Sequence, residues 1–169
     1  MPTVKIDVER FSTTKQKALL TMLNNDKAVR KNVNIILKDY INWFVPKASG
    51  KLRRSAVVTH NTISWGRGLK YARYQYGGEI YGPNYPIIRG GRIVGWYSRG
   101  PKSPTGRMMG AYTRGSEWMG WVFGYTEPGT EHHWDVKFNS HRMWKAKANR
   151  EITHYLKQEC KKRGLRKWV

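Results

Sequence analysis

The feature that most restricts the fold of this chain is a run of apolar residues between Val29 and Phe44. They recur at intervals of three and four residues: Val29, Val33, Ile36, Leu37, Tyr40, Ile41 and Phe44. This spacing places them on one face of a helix and is typical of an amphipathic helix packed on a core. Pro46 cannot continue such a helix, so we expect the helix to stop there. The core of this chain must therefore form along one side of a long helix.

Three other segments are predicted to be strands, and the first of them alternates apolar and polar residues, which is the pattern of a half-buried strand. Residues 3–8 are the first, and residues 52–59 and 62–65 flank His60-Asn61, where we expect a tight turn. A Ser-Gly turn that ends at Gly50 leads from the long helix into the second strand, which begins near Leu52. The pattern predicts a small antiparallel sheet that contains a hairpin.

Further helices are predicted on both sides of these strands. Ser12 to Thr14 can cap a helix that reaches Leu23, and residues 69–76 favour a short helical turn. Asn139 or Ser140 can cap a last helix, which Gly164 ends. Its apolar face is formed by Trp144, Ala148, Ile152, Tyr155, Leu156 and Cys160. A chain of 169 residues is one domain by length. We therefore predict a single α+β domain, residues 1–169, in which two main helices pack on a small antiparallel sheet.

Residues 82–130 differ in composition from the rest of the chain. They hold 11 of the 17 glycines and five of the seven prolines, which is unsuited to a self-contained core. They also carry aromatic residues that disordered linkers lack, among them Trp118 and Trp121 in the best predicted strand, residues 118–125. We expect an inserted arm or extended β-hairpin that is ordered by contact with neighbouring subunits.

The net charge of +21 is the strongest compositional signal. The positive charge is spread along the chain, and no acidic segment offsets it. Such a charge favours association with a polyanion or an acidic partner. The alternative is a solvated surface that keeps a small protein in solution. No apolar run reaches the roughly 20 residues of a membrane helix, and the N-terminus lacks an apolar signal-peptide core. We therefore expect no membrane association and a location on the cytoplasmic side.

The sequence offers little support for a metal site or for catalysis. His132-His133, with Glu131 and Asp135 nearby, has the residue types that bind zinc or iron. Adjacent residues on a strand point to opposite faces, however, so the two imidazoles are poorly placed to share an ion. No pair among the 11 acidic residues stands out as a general acid and base. Cys160 lies in a helical pattern and is expected to be an ordinary buried thiol. We predict no metal, no cofactor and no enzymatic activity.

Four arginines are candidates for contact with nucleic acid. Arg53, Arg54 and Arg67 have the side chain that binds phosphate through two hydrogen bonds, and their alternative role is that of solvated strand residues. Arg73 lies among Tyr71, Tyr74 and Tyr76, a mixture of charge and stacking groups found in single-strand binders. The alternative, which we favour, is aromatic packing with the arginine stacked over the rings. No pattern of a sequence-specific DNA-binding motif is present.

Three phrases in the chain occur in a fixed order: residues 43–55, residues 71–78 and residues 127–135. Together they resemble the small minor capsid or neck proteins of long-tailed phages that infect Gram-positive bacteria. The family's Phe-Val-Pro, Gly, Leu-Arg and Ser correspond to Phe44, Val45, Pro46, Gly50, Leu52, Arg53 and Ser55. Its Tyr-Ala-x-x-Gln motif corresponds to Tyr71, Ala72, Gln75 and Tyr76, and its Pro-Gly-Thr with Trp-Asp to Pro128, Gly129, Thr130, Trp134 and Asp135. The resemblance covers residues 3–8, 33–78 and 125–160. The long segment 82–130 and the basic excess depart from the family pattern.

The resemblance implies a structural role in tail completion or head–tail joining. Family members form a ring at the neck, between the capsid connector and the tail tube, and DNA passes through the ring on ejection. The implied partners are further copies of the chain and connector or tail-tube proteins, in a virion assembled in the host cytoplasm. No catalytic residue is implied, and Trp134 and Asp135 are expected to lock the fold where the last helix packs. The alternative is a basic nucleic-acid-binding protein without enzymatic activity, and both hold if the lumen of the ring is basic.

Overall fold

The computed structural model describes residues 4–7, 11–46, 50–69, 71–83, 85–97, 103–108 and 132–165. Within these ranges the chain forms helices α1 (Thr14–Met22), α2 (Lys27–Ile41), α3 (Lys51–Arg54), α4 (Ala72–Gly77), α5 (Trp134–Ser140) and α6 (Arg142–Lys162). Its strands are β1 (Val4–Asp7), β2 (Val57–Val58), β3 (Thr62–Trp65), β4 (Glu79–Gly82), β5 (Tyr85–Arg89), β6 (Arg92–Tyr97) and β7 (Ser103–Met108).

The main sheet is antiparallel and has the strand order β1-β3-β2. Ile63 of β3 pairs with Ile6 of β1 on one side and with Val58 of β2 on the other. Ile6 and Ile63 are buried, because helix α2 contacts β2 and β3 and α5 places Trp134 against Trp65 of β3. The predicted α+β class, with a small antiparallel sheet packed by helices, is confirmed.

Helix α6 packs against α1 and α2. Its buried residues are Ala148, Ile152, Leu156 and Cys160, at intervals of four. Gln16 of α1 is also buried, and its side-chain Nε2 donates to the carbonyl oxygen of Asn149 at 3.1 Å. Cys160 is completely buried, which confirms the expectation of a buried cysteine, and this burial raises the pKa of its thiol.

Helix α2 follows the predicted apolar face but ends at Ile41, several residues before Pro46. The chain turns inward there, and the backbone N–H of Phe44 donates to the Ile41 oxygen at 2.9 Å. This turn buries Phe44 and Val45, so the apolar residues that follow Ile41 reach the core without further helix.

The predicted strand over residues 52–59 is wrong in its first half. Residues 51–54 form the short helix α3, and only Val57 and Val58 are extended. The hydroxyl of Ser55 donates to the carbonyl oxygen of Leu52 at 2.7 Å, which stabilises the end of the helical turn. Leu52 is 3% exposed, so the turn also directs an apolar side chain into the core. The hairpin turn at His60-Asn61 is confirmed, since the N–H of Thr59 donates to the Thr62 oxygen at 2.9 Å.

The strand geometry assumed for the pair His132-His133 is also wrong. His133 has a left-handed backbone with φ of +48°, and α5 begins at Trp134. The extended backbone of His141, with ψ of 91°, separates α5 from α6. His141, and not Asn139 or Ser140, is the N-cap of α6.

The arm is described in residues 82–83, 85–97 and 103–108. Strands β5 and β6 form a hairpin around Gly90-Gly91, whose φ values are +54° and +72°. Positive φ at both residues is what a tight two-residue hairpin turn requires. Strand β7 pairs with β4, and the hairpin lies between these two strands in the sequence. The paired part of the arm therefore begins at Glu79, before residue 82. Trp118, Trp121 and the predicted strand 118–125 lie outside the described residues.

Candidate functional site

Residues from the second and third sequence phrases meet in one cluster, which we call the aromatic junction (Trp65, Tyr76, His133, Trp134 and Asp135). The backbone N–H of His133 donates to the Tyr76 carbonyl oxygen at 2.8 Å. The Tyr76 hydroxyl donates to Oδ1 of Asp135 at 2.8 Å. The Tyr76 ring centroid lies 4.7 Å from that of His133 and 4.8 Å from that of Trp134. The junction thus joins α4 to the start of α5.

Trp65 connects the aromatic junction to the main sheet and to α2. Its ring meets Trp134 edge-on at 6.2 Å, and both indoles are completely buried. Its Nε1 donates to Oδ1 of Asn42, the C-cap residue of α2, at 2.9 Å. Trp134 therefore occupies the core, and Asp135 lies in the first turn of α5, where a carboxylate is favourable.

Gly66 brings the first phrase against the second. A Cβ at Gly66 would lie 2.1 Å from the Cβ of Ala72 and 3.8 Å from Cδ1 of Leu52. The N–H of Gly66 donates to the hydroxyl oxygen of Ser55 at 2.7 Å. Leu52 belongs to the first phrase and Ala72 to the second, and both are therefore neighbours of the same buried glycine.

The turn after α2 is held by an arginine. Pro46 and Gly50 flank residues outside the described ranges, and Gly50 has a left-handed φ of +72°. Nε of Arg53 donates to the Val45 oxygen at 2.7 Å, and its Nη2 donates to the Trp43 oxygen at 3.3 Å. Carbonyls beyond a helix end need such partners. Arg53 therefore has an internal structural role that accounts for its position without nucleic acid.

The other candidate arginines lie exposed on three separate elements. Arg54 is on α3, Arg67 follows β3 and Arg73 is on α4. The Arg73 guanidinium carbon lies 4.9 Å from the centroid of the Tyr74 ring. This is the stacking of the arginine over an aromatic ring that was expected as the alternative to nucleic-acid binding. Tyr71, which precedes α4, is 40% exposed, and Gln75 is half-buried. Neither residue belongs to the aromatic junction.

Of the four side chains considered as metal ligands, Glu131 lies outside the described residues. The rings of His132 and His133 meet edge-on at 5.3 Å. Within the described ranges, no three His, Cys, Asp or Glu side chains are grouped so that they could hold a metal ion. A cleft of about 160 Å³ between α1, α2 and the β2–β3 hairpin is lined by Ser12, Lys17, Leu20, Thr21, Asn25, Arg30, Val33, Asn34 and His60. These lining residues include no carboxylate that could serve as a general base beside His60.

The β5–β6 hairpin presents large apolar side chains to solvent. Ile88 is 62% exposed and Val94 is 50% exposed. Tyr85 and Tyr97, paired across the strands with ring centroids 5.6 Å apart, are also exposed. Within the described part of the chain, the only extensive contact of each strand is with the other. We call this the exposed hairpin; its apolar side chains are not covered by other elements in the described ranges.

Sequence reasoning expected an arm or an extended β-hairpin here but did not place the hairpin turn at Gly90-Gly91. The signal was present, because Gly90-Gly91 separates two segments rich in Ile and Val, a strong short-range indication of a hairpin. It also missed the pairing of Trp43 with Trp144. These rings stack with centroids 5.2 Å apart, although Trp43 remains 60% exposed. A contact between α6 and the turn after α2 has no local signal in the sequence.

Comparisons of the chain with protein-family models, with curated proteins and with solved structures returned no match. None of the helices formed by the described residues combines the length and the apolar character needed to cross a bilayer.

Proposed function

We propose that the protein is a structural component of the phage neck that assembles into a ring and joins the capsid connector to the tail. The three sequence phrases that resemble neck proteins support this proposal. Tyr76 of the second phrase is hydrogen-bonded to Asp135 of the third, and Leu52 of the first phrase and Ala72 of the second both lie beside Gly66. The observation that carries the proposal is the exposed hairpin. No catalytic residue is required for such a role.

The exposed hairpin has the properties of an assembly element. It is a two-stranded sheet, so each strand has one backbone edge without a partner strand among the described elements. A two-stranded hairpin alone is only marginally stable in water. Its free edges can pair with a strand of another chain, and its apolar side chains can be buried in the same contact.

A neighbouring copy of the chain is the occupant that we assign to the exposed hairpin. When the hairpin of one copy docks on a different surface of the next, the contact is heterologous. Repetition of such a contact closes a ring if the rotation between copies permits it. A ring places each copy in an equivalent position around a central passage, as joining a connector to a tail requires.

The assembly can be tested by comparing two double variants. Ile88→Ser/Val94→Ser removes exposed apolar side chains from the hairpin, and Val136→Ser/Met143→Ser removes two from α5 and α6, which are 55% and 54% exposed. Light scattering after size-exclusion chromatography should show a ring-sized oligomer for the wild type and for the second variant, but a monomer for the first. Equal oligomers for all three proteins would contradict assembly through the hairpin.

The place in the virion needs a separate test. Gold-labelled antibody against the protein should bind at the head–tail junction of purified phage particles in electron micrographs. Pull-down with the cognate connector and tail-tube proteins should identify which one it contacts. Label confined to the capsid shell or the tail tip would contradict a neck position.

A further inference from the structure

Helix α6 carries an uninterrupted basic surface on the side that faces away from the core. Lys147, Arg150, His154, Lys157 and Lys161 follow one another at alternating intervals of three and four residues. That spacing keeps them on one side of a helix. We call this the basic face of α6; all its members are exposed except Lys157, which is half-buried.

The acidic residues of α6 do not neutralise the basic face. Glu151 accepts a hydrogen bond from the Tyr40 hydroxyl at 2.7 Å and so contributes to the contact with α2. Glu159 pairs with Lys162 at 2.7 Å. In the described part of the chain, Arg150, Lys157 and Lys161 form no ion pair, and Lys147 lies over the Trp144 ring, 5.2 Å from its centroid. Four positive side chains are therefore available to an external anion.

The length of the basic face suits an extended polyanion. From Lys147 to Lys161 the helix rises about 21 Å, at 1.5 Å per residue. Duplex DNA has about one phosphate for each 1.7 Å of its axis, so a segment of this length passes about a dozen phosphates. Lysine and arginine side chains are among the groups that donate hydrogen bonds to phosphate oxygens.

A membrane surface fits this helix less well than a duplex does. A helix that binds at a bilayer interface needs an apolar face free to enter the lipid. The apolar face of α6, formed by Ala148, Ile152, Leu156 and Cys160, is buried in the domain core. Only the basic face is free, and it offers charge without an apolar anchor.

We infer that the basic face of α6 is a binding surface for the phosphate backbone of duplex DNA, which it contacts without reading sequence. This inference does not depend on ring assembly or on a position in the neck. It assigns part of the excess positive charge to one surface and one partner.

Salt dependence of binding provides the test, with a labelled duplex of roughly 20 base pairs, two helical turns, as the probe. The variant Arg150→Gln/Lys157→Gln removes two charges from the basic face. The control Lys15→Gln/Lys31→Gln removes two from exposed positions on α1 and α2. Each phosphate contact contributes about 0.9 to the slope of log affinity against log salt. We expect the slope to fall by about 1.8 in the first variant and to stay near the wild-type value in the control.

Circular dichroism and the unfolding midpoint of each variant should match the wild type, because all four positions lie outside the core. Equal changes of slope in both variants would show diffuse attraction and would overturn the inference. So would absence of wild-type binding at about 50 mM salt, or displacement of the duplex by polyglutamate at an equal concentration of charge. Vesicles containing phosphatidylserine that bind more tightly than the duplex would also overturn it.

Discussion

The hydroxyl of Tyr76 donates a 2.8 Å hydrogen bond to the carboxyl oxygen Oδ1 of Asp135, across 59 positions of the sequence. Asp135 is completely buried, and the bond joins α4 to the first turn of α5. The arm lies between these two residues in the sequence. The bond therefore joins the segment that precedes the arm to the segment that follows it.

Replacement of Tyr76 by Phe should therefore destabilise the domain. The variant removes the donor to a buried acceptor, and such a loss lowers the free energy of unfolding by about 1–3 kcal/mol. Urea titration followed by tryptophan fluorescence measures the change. Tyr71→Phe, which alters an exposed hydroxyl just before the same helix, should leave the midpoint unchanged. Equal midpoints for both variants would show that the Tyr76–Asp135 bond adds no stability.

Trp134→Ala should have a larger effect, because it removes a buried indole from the aromatic junction. Truncation of a buried aromatic side chain costs about 3–5 kcal/mol of unfolding free energy. Trp43→Ala is the matched control, since Trp43 is 60% exposed and its contribution comes from stacking on Trp144. We expect it to cost about 0.5–1.5 kcal/mol. A stable Trp134→Ala protein that fails only to assemble would instead place this residue at an interface.

Gly66 and Gly68 have similar backbone conformations, so an alanine substitution at each position can be compared to measure the cost of the close contact at Gly66. Gly66 and Gly68 have φ of +85° and +79°, but only Gly66 has neighbouring atoms where a Cβ would lie. Gly68→Ala should cost about 1–2 kcal/mol because of the left-handed backbone alone. Gly66→Ala should cost a further 1–3 kcal/mol, because its methyl group would overlap the side chain of Ala72. Thermal unfolding of the pair gives the difference; equal melting temperatures would contradict the close contact.

Stability should depend on pH through Asp26, the N-cap residue of α2. The hydrogen bond from Arg163, at 2.7 Å, and those from the backbone N–H groups of Val29 and Ala28 lower the pKa of its carboxyl group. A lowered pKa in the folded state means that this stabilisation is complete above the unfolded pKa of about 3.9. It is lost as the pH falls through the folded value.

Asp26→Asn keeps a side chain that can cap the helix but removes the charge. The wild type should therefore be more stable than the variant at pH 7, and the difference should shrink below about pH 4. Denaturant titrations at pH 7, 4 and 3 measure it. A difference that stays constant with pH would show that the ion pair with Arg163 does not contribute.

The proposed assembly predicts protection of the exposed hairpin. In dissociated protein, trypsin should cut early after Arg89 or Arg92, which lie at the exposed tip of the hairpin. In the assembled state these bonds should be protected, while cleavage after Lys161, near the end of α6, serves as an internal reference. Mass spectrometry of the first fragments distinguishes the two states. Equal cleavage rates at Arg89 before and after assembly would place the interface elsewhere.

Much of the architecture could be predicted because its signals are local. The apolar face of α2, the strand at Val4–Asp7 and the turn at His60-Asn61 each depend on residues only a few positions apart. The burial of Cys160 follows in the same way from the helical spacing of its apolar neighbours. Helical and strand periods of 3.6 and 2 residues identify such elements before any tertiary contact is known.

The short elements were decided by tertiary structure. A strand was expected from Leu52, and the last helix was expected to begin only after Asn139 or Ser140, yet residues 51–54 and 134–140 are both helical. Segments this short have weak preferences of their own, because starting a helix is unfavourable without packing to support it. The contacts of Leu52 with the core and of Asp135 with Tyr76 provide that support, and residues far apart in sequence supply it.

The amino-acid sequence by itself determined the fold class, the long amphipathic helices and the large positive charge. Only the tertiary structure placed Arg53 against the carbonyls that follow α2, exposed Ile88 and Val94 on the β5–β6 hairpin and turned the basic side of α6 outward. The physical reason is that periodicity records which side of an element is apolar, whereas the partner of each side chain depends on which elements the fold brings together.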